Sequence, residues 1–156
     1  MWSGAMAEKI WLTVPGALRY RAVAVRVVAE AARLVSGSAR RDELDLLAND
    51  VRDPFDTAVV SAFMEIFNNV AIHAYRREGT GRIEISITAG EREILIEVLD
   101  HGRPFDPTTV PPLPSEMDDA SLPEGGMGIH IARTMLDDVS YQPGPPNKWR
   151  LLKVRT

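Results

Sequence analysis

The chain has 156 residues, with 18 lysines and arginines against 22 aspartates and glutamates, and no cysteine. That length holds one ordinary core, and 45% hydrophobic with 26% charged residues is a globular composition, which excludes a wholly disordered chain or a fibrous repeat. A net charge of −4 offers no broad basic surface to phosphates, so no nucleic-acid partner is expected. Lack of cysteine removes disulfides, thiolate zinc sites and a cysteine nucleophile, and fits a reducing, cytoplasmic compartment. The apolar stretches are interrupted, as Ala22 to Val35 is by Arg26, Glu30 and Arg33, so no membrane span is expected.

Residues 1–7 read as a disordered terminus or an expression scar, and residues 8–156 as a single domain. Ile10, Leu12 and Val14 alternate with Trp11 and Thr13, which predicts a strand that Pro15 and Gly16 end. Ala17 to Val35 contains no breaker before Ser36, Gly37 and Ser38 and predicts a helix. A second helical stretch covers Asp42 to Asn49. Asp53 and Pro54 then mark a helix start: Asp53 caps, Pro54 suits the first position, and Asp56 meets the positive end of the dipole. This helix is predicted to run to about Arg77.

Ile83, Ile85 and Ile87, then Ile94, Ile96 and Val98, alternate with polar residues around a turn at Gly90, predicting a hairpin with one buried face. Gly102 to Gly125 holds six of the eleven prolines and a net charge of −4, so the rest of the chain is neutral. Such a segment inside a small domain predicts a mobile lid. A helix from Met127 to Leu136 and strands Val139 to Gln142 and Trp149 to Val154 close the order. The expected class is α+β, a two-layer sandwich with helices on one face of a mostly antiparallel sheet.

Three features carry chemistry. On the long helix, Val59, Phe63, Ile66, Val70 and Ala74 form a core face, flanked by Glu65, Asn69 and His73 at every fourth position; Asn68 points away. Taken alone, Glu65 and Asn69 read as a plain surface pair, and His73 is expected to drift toward the core side. On the strand, Asp100 continues the buried row of Ile94, Ile96 and Val98. It either opens a turn or waits for a donor, which a ligand amine would supply. Third, Gly125, Gly126, Met127 and Gly128 lead into a helix, where free backbone N–H groups suit phosphate. Gly126-x-Gly128 lacks the third glycine of a dinucleotide fingerprint and does not follow a strand, and no GxxxxGK[ST] loop is present, so dinucleotide-fold and P-loop readings fail.

Glu-x-x-x-Asn on a helix, Asp-x-Gly after a strand and Gly-x-Gly after a lid, in that order, resemble the GHKL ATPase superfamily, whose domain is the Bergerat fold. Glu65 to Tyr75 is similar to the N box of stand-alone anti-sigma factor serine/threonine kinases, and Gly126 to Val139 to their last phosphate loop and helix. The resemblance implies ATP and Mg²⁺ as cofactors. It makes Asn69 the Mg²⁺ ligand, Glu65 the catalytic group that orients or deprotonates the attacking hydroxyl, and Asp100 the acceptor of the adenine amine. Gly102 would pass close to the base, while Gly126, Met127 and Gly128 would hold phosphates. Arg133 is expected at the surface or facing a partner.

The resembling family carries a Gly-Thr pair before its final strand, where this chain has Pro145, Pro146, Asn147, Lys148 and Trp149. The implied function is a protein kinase and anti-sigma factor that phosphorylates a STAS-domain antagonist, binds a sigma factor and forms a homodimer. The alternative is a GHKL-fold regulator that binds partners without transferring phosphate.

Overall fold

A computed structural model describes residues 8–38, 53–75, 81–106 and 127–156. The expected helix Asp42 to Asn49, residues 1–7, Gly126 and most of the expected lid lie outside the described residues. The elements are β1 (Glu8–Pro15), a 3₁₀ turn (Leu18–Tyr20), α1 (Arg21–Ser36), α2 (Pro54–Asn69), a π turn (Val70–Ala74), β2 (Arg82–Ala89), β3 (Glu93–Asp100), α3 (Met127–Met135), β4 (Asp138–Gln142) and β5 (Asn147–Val154).

The strands form one sheet in the order β1-β2-β3-β5-β4, and every ladder among them is antiparallel. Alternation decides which face is buried. Ile83, Ile85, Ile87, Ile94, Ile96, Val98, Trp149 and Leu151 share one core with Val28, Val59, Phe63, Ile66 and Ile129 from the three helices. The other face carries Glu84, Glu97 and Lys148, with Lys148 Nζ 2.6 Å from Glu97 Oε2. The expected two-layer α+β architecture is what the chain adopts.

Local chemistry sets the ends of the helices. Asp53 Oδ1 accepts from the N–H groups of Phe55 at 2.9 Å and Asp56 at 3.4 Å, the cap that frees α2 to start at Pro54. Gly37 closes α1 at φ 83°, a left-handed conformation that glycine adopts without steric cost. Phe63, Ile66 and Phe67 of α2 are fully buried, so Phe63→Ala would cost about 3–5 kcal/mol.

Two expectations change here. Pro54–Ala74 is long and apolar enough by composition to cross a membrane, contrary to the reading of broken apolar stretches, and half of its most apolar window is buried inside the fold. It is the central core helix. The regular helix also ends at Asn69 rather than near Arg77. The π turn that follows is closed by a bond from Tyr75 N–H to Val70 O at 3.2 Å, and its extra residue sets later side chains back by about 100°. His73 is therefore exposed instead of drifting toward the core, and Tyr75 takes the buried side.

Candidate functional site

The central helix supplies two of the expected residues. Glu65 is half-buried and faces α3: a β-carbon built on Gly128 would lie 2.5 Å from Glu65 Oε2 and 3.3 Å from its Cβ. A methyl group at this position would push the end of the Glu65 side chain aside. Asn69, one turn further on, is 8% exposed. Among the described residues neither Glu65 nor Asn69 has a hydrogen-bond or ion-pair partner for its side chain. Asp56 Oδ1 is the one buried side-chain atom without a partner among the described residues, so the Asn69 carboxamide is open to water and accessible to a cation. Its neighbour Asn68 is half-buried rather than fully turned away, and its Oδ1 accepts from Arg21 Nη1 at 2.8 Å.

Asp100 ends β3 on the core face, 2% exposed. It is not waiting for its only donor: Oδ1 accepts from Gly102 N–H at 2.9 Å and from Asn147 Nδ2 at 2.8 Å. Neither bond reaches Oδ2, which leaves that oxygen for an amine of a ligand. Burial pushes the Asp100 carboxyl above its ordinary value, against the pull of the Asn147 and Gly102 bonds and the charge of His101.

Gly102 does make a close backbone approach, and the neighbour is protein. A β-carbon there would lie 2.4 Å from Ala74 O, the carbonyl that accepts from Arg103 N–H at 2.9 Å. Tyr75 Oη accepts from His101 N–H at 2.9 Å and donates to Arg82 O at 2.6 Å. The π turn after Asn69 is thus joined to the loop after Asp100, so the two halves of the candidate site are held by one set of bonds.

The first residues of the expected lid are anchored. Phe105 N–H donates to Tyr141 Oη at 2.8 Å, and the rings of Phe105, Tyr141 and Trp149 form a cluster with centroids 4.6–5.8 Å apart. Burial pushes the Tyr141 hydroxyl up, as it does that of Tyr75. Met127 opens α3 half-buried, followed by Gly128, and Arg133 is exposed as expected. Sequence reasoning missed Asn147, Tyr75 and Tyr141. Extending the Leu151-Trp149 alternation back by two places would have put Asn147 on the buried face, but nothing local reveals that it pairs with Asp100.

An antiparallel sheet backed by α1, α2 and α3, with Glu-x-x-x-Asn on α2 and a buried aspartate at a strand end, defines a class of ATPase domain. The model of the histidine kinase-like ATPase domain family matches residues 15–152, and the chain belongs to that family, part of the GHKL superfamily that its motifs resemble. It is similar to the serine/threonine-protein kinase BtrW of Bordetella bronchiseptica, 32% identical over 80 residues that cover 50% of this chain and 55% of that protein. It is also similar to the serine-protein kinase RsbW of Bacillus cereus, 29% identical over 136 residues, 85% of this chain and 76% of the relative. The RsbW of Bacillus licheniformis is 31% identical over 85 residues, 52% and 53% of the two chains.

Proposed function

We propose that this chain is an ATP-dependent protein serine/threonine kinase and anti-sigma factor that phosphorylates a STAS-domain antagonist in a bacterial partner-switching system. The observation that carries the reading is that Gly128 packs so close to Glu65 that a β-carbon there would meet its carboxylate, one helical turn from Asn69. A carboxylate there stands between the helix start that suits phosphates and the carboxamide that suits a cation. The names of the relatives, serine and serine/threonine kinases, support the same chemistry.

In this reading Asn69 Oδ1 holds Mg²⁺, which neutralises phosphate charge when bound. Met127 and Gly128 at the start of α3 present backbone N–H groups to the phosphates, and the resemblance implies the same role for Gly126. Asp100 Oδ2 accepts from the exocyclic amine of adenine. Glu65 takes the proton of the incoming seryl or threonyl hydroxyl, whose oxygen bonds to the γ-phosphorus as the bond to ADP breaks. The sigma factor and a second copy of the chain are the further partners of the proposal.

The test is recovery of the chain from its native cell, identification of the bound STAS-domain protein, and incubation of the purified pair with Mg-ATP. Phosphoserine or phosphothreonine on the antagonist, absent with Asn69→Ala, is the expected result. ATP binding and partner binding without transfer would establish the non-catalytic regulator instead. No calorimetric heat with a non-hydrolysable ATP analogue at millimolar ligand would reject the nucleotide site.

A further inference from the structure

Asn147 opens β5 directly opposite Asp100 in the ladder and is 2% exposed. Its Nδ2 donates to Asp100 Oδ1 at 2.8 Å and to Gly102 O at 3.0 Å, and its Oδ1 accepts from Gly144 N–H at 2.9 Å. Both amide hydrogens are therefore spent on acceptors, and the carboxamide can face only one way: turned over, its oxygen would meet a carboxylate and a carbonyl. The bonds tie three backbone regions together, namely the end of β3, the loop that leaves it, and the turn between β4 and β5.

We infer that Asn147 is a positioning residue for nucleotide recognition, clamping one oxygen of Asp100 so that the other, Oδ2, is presented in a fixed direction to the amino edge of a purine. The inference rests on the nucleotide reading given above. Asn147 has no hydrogen left to touch a ligand itself, so it acts through Asp100. A hydroxyl in its place has a single hydrogen and serves either Asp100 or Gly102, not both. The clamp therefore needs a carboxamide.

Two consequences separate a clamp from a filler of space. A fixed acceptor discriminates between purines: it favours a base with an amine at this edge over one with a carbonyl there. A donor lost from Asp100 also favours its protonated form, in the direction opposite to the present effect of Asn147. The charge of His101 beside it lowers Asp100, Tyr75 at the end of the π turn and Tyr141 on β4 are themselves pushed up by burial and further by the Asp100 charge, and the substitutions below leave all three in place.

The experiment compares wild type, Asn147→Ala and Asn147→Thr. The Asp100 carboxyl is titrated by carbon NMR in the nucleotide-free protein, and ATP and GTP affinities are measured by calorimetry with non-hydrolysable analogues. Asn147→Ala is expected to move the Asp100 titration upward and to weaken ATP by roughly tenfold or more, the value of a hydrogen bond to a charged group, while GTP changes less. Asn147→Thr retains one donor and is expected to fall between the two, which keeps the test available if the alanine variant does not fold. An unmoved Asp100 titration, or equal weakening of ATP and GTP, would overturn the clamp. If wild type binds no ATP, the nucleotide reading fails on that result, and the carboxyl titration still decides whether Asn147 holds Asp100.

Discussion

Gly128 lies against the side chain of Glu65 so closely that a single added methyl group would meet Oε2 at 2.5 Å and the Glu65 Cδ at 3.4 Å. The end of a glutamate can swing aside, so Gly128→Ala is expected to leave the fold intact and displace the carboxylate. Misplacing a catalytic group by about 1 Å costs roughly 10²-fold in rate. Transfer to the antagonist should fall by about that factor. If displacement of Glu65 is the cause, adding Gly128→Ala to Glu65→Gln should slow transfer no further, whereas additive losses would show that Gly128 acts independently.

Glu65→Gln keeps the shape of the side chain and removes its charge. Because Glu65 has no hydrogen-bond or ion-pair partner among the described residues, no internal bond is lost, and the melting temperature and ATP affinity should stay at wild-type values. Phosphoryl transfer should drop by roughly 10² or more, the usual contribution of a general base. Single-turnover assays with the phosphorylated antagonist resolved on Phos-tag gels read this directly, and a wild-type rate in the variant would remove Glu65 from the chemistry.

Tyr75 ties the end of the π turn to the loop after Asp100. Its ring sits between two glycines: a β-carbon on Gly16 would meet Cδ2 at 2.3 Å, and one on Gly81 would meet Cε1 at 2.1 Å. Tyr75→Phe keeps the ring in that slot and takes the hydroxyl away from His101 N–H and Arg82 O. The expected loss is about 1–3 kcal/mol, measured as a lower denaturant midpoint with an unchanged slope. An unchanged midpoint would mean that water replaces the hydroxyl without cost.

The fold was largely legible because it is written in local periodicity. The period of two in Ile83 to Ile87 and Ile94 to Val98 fixes a buried face, and carrying it forward places Asp100 on that face, 2% exposed. The Asp53-Pro54 start of α2 was legible for the same reason, since capping is decided within four residues. What escaped depends on pairing or on a defect. Asn147 meets Asp100 across strands 47 residues apart in sequence, a register that no window contains. Tyr75 was obscured by the π turn, whose added residue breaks the 100° rule and exchanges His73 for Tyr75 on the buried side. Of the candidate site, spacing placed Glu65, Asn69 and Asp100 on their elements and the resemblance supplied their expected roles, while the bonds that hold Asp100 were not legible.

Asp56 gives a pH dependence with a definite sign. It lies in the first turn of α2, 1% exposed. Its Oδ2 accepts from Ser38 Oγ at 2.7 Å, which in turn accepts from Ser36 Oγ at 3.0 Å, while Oδ1 is buried with no partner among the described residues. Burial pushes this carboxyl above its ordinary 3.8, and the hydrogen bonds of Ser38 and Ser36 only partly offset that. The native state therefore holds the proton to higher pH than the unfolded chain does. Between the two values the native state binds more protons, so stability falls as pH rises. The contribution of Asp56 is complete below 3.8, is lost as pH rises through its native value, and does not return. Asp56→Asn removes this titration and keeps an oxygen for Ser38. An amide hydrogen left unsatisfied costs about 1–3 kcal/mol at every pH, so the slope is the test rather than the absolute difference. The melting temperature of Asp56→Asn minus that of wild type should rise from about pH 4 to about pH 8. Asp100, whose carboxyl is shifted in the same direction, is present in both proteins and cancels. A difference that stays flat or falls across that range would show that the native state does not hold the Asp56 proton longer than the unfolded chain.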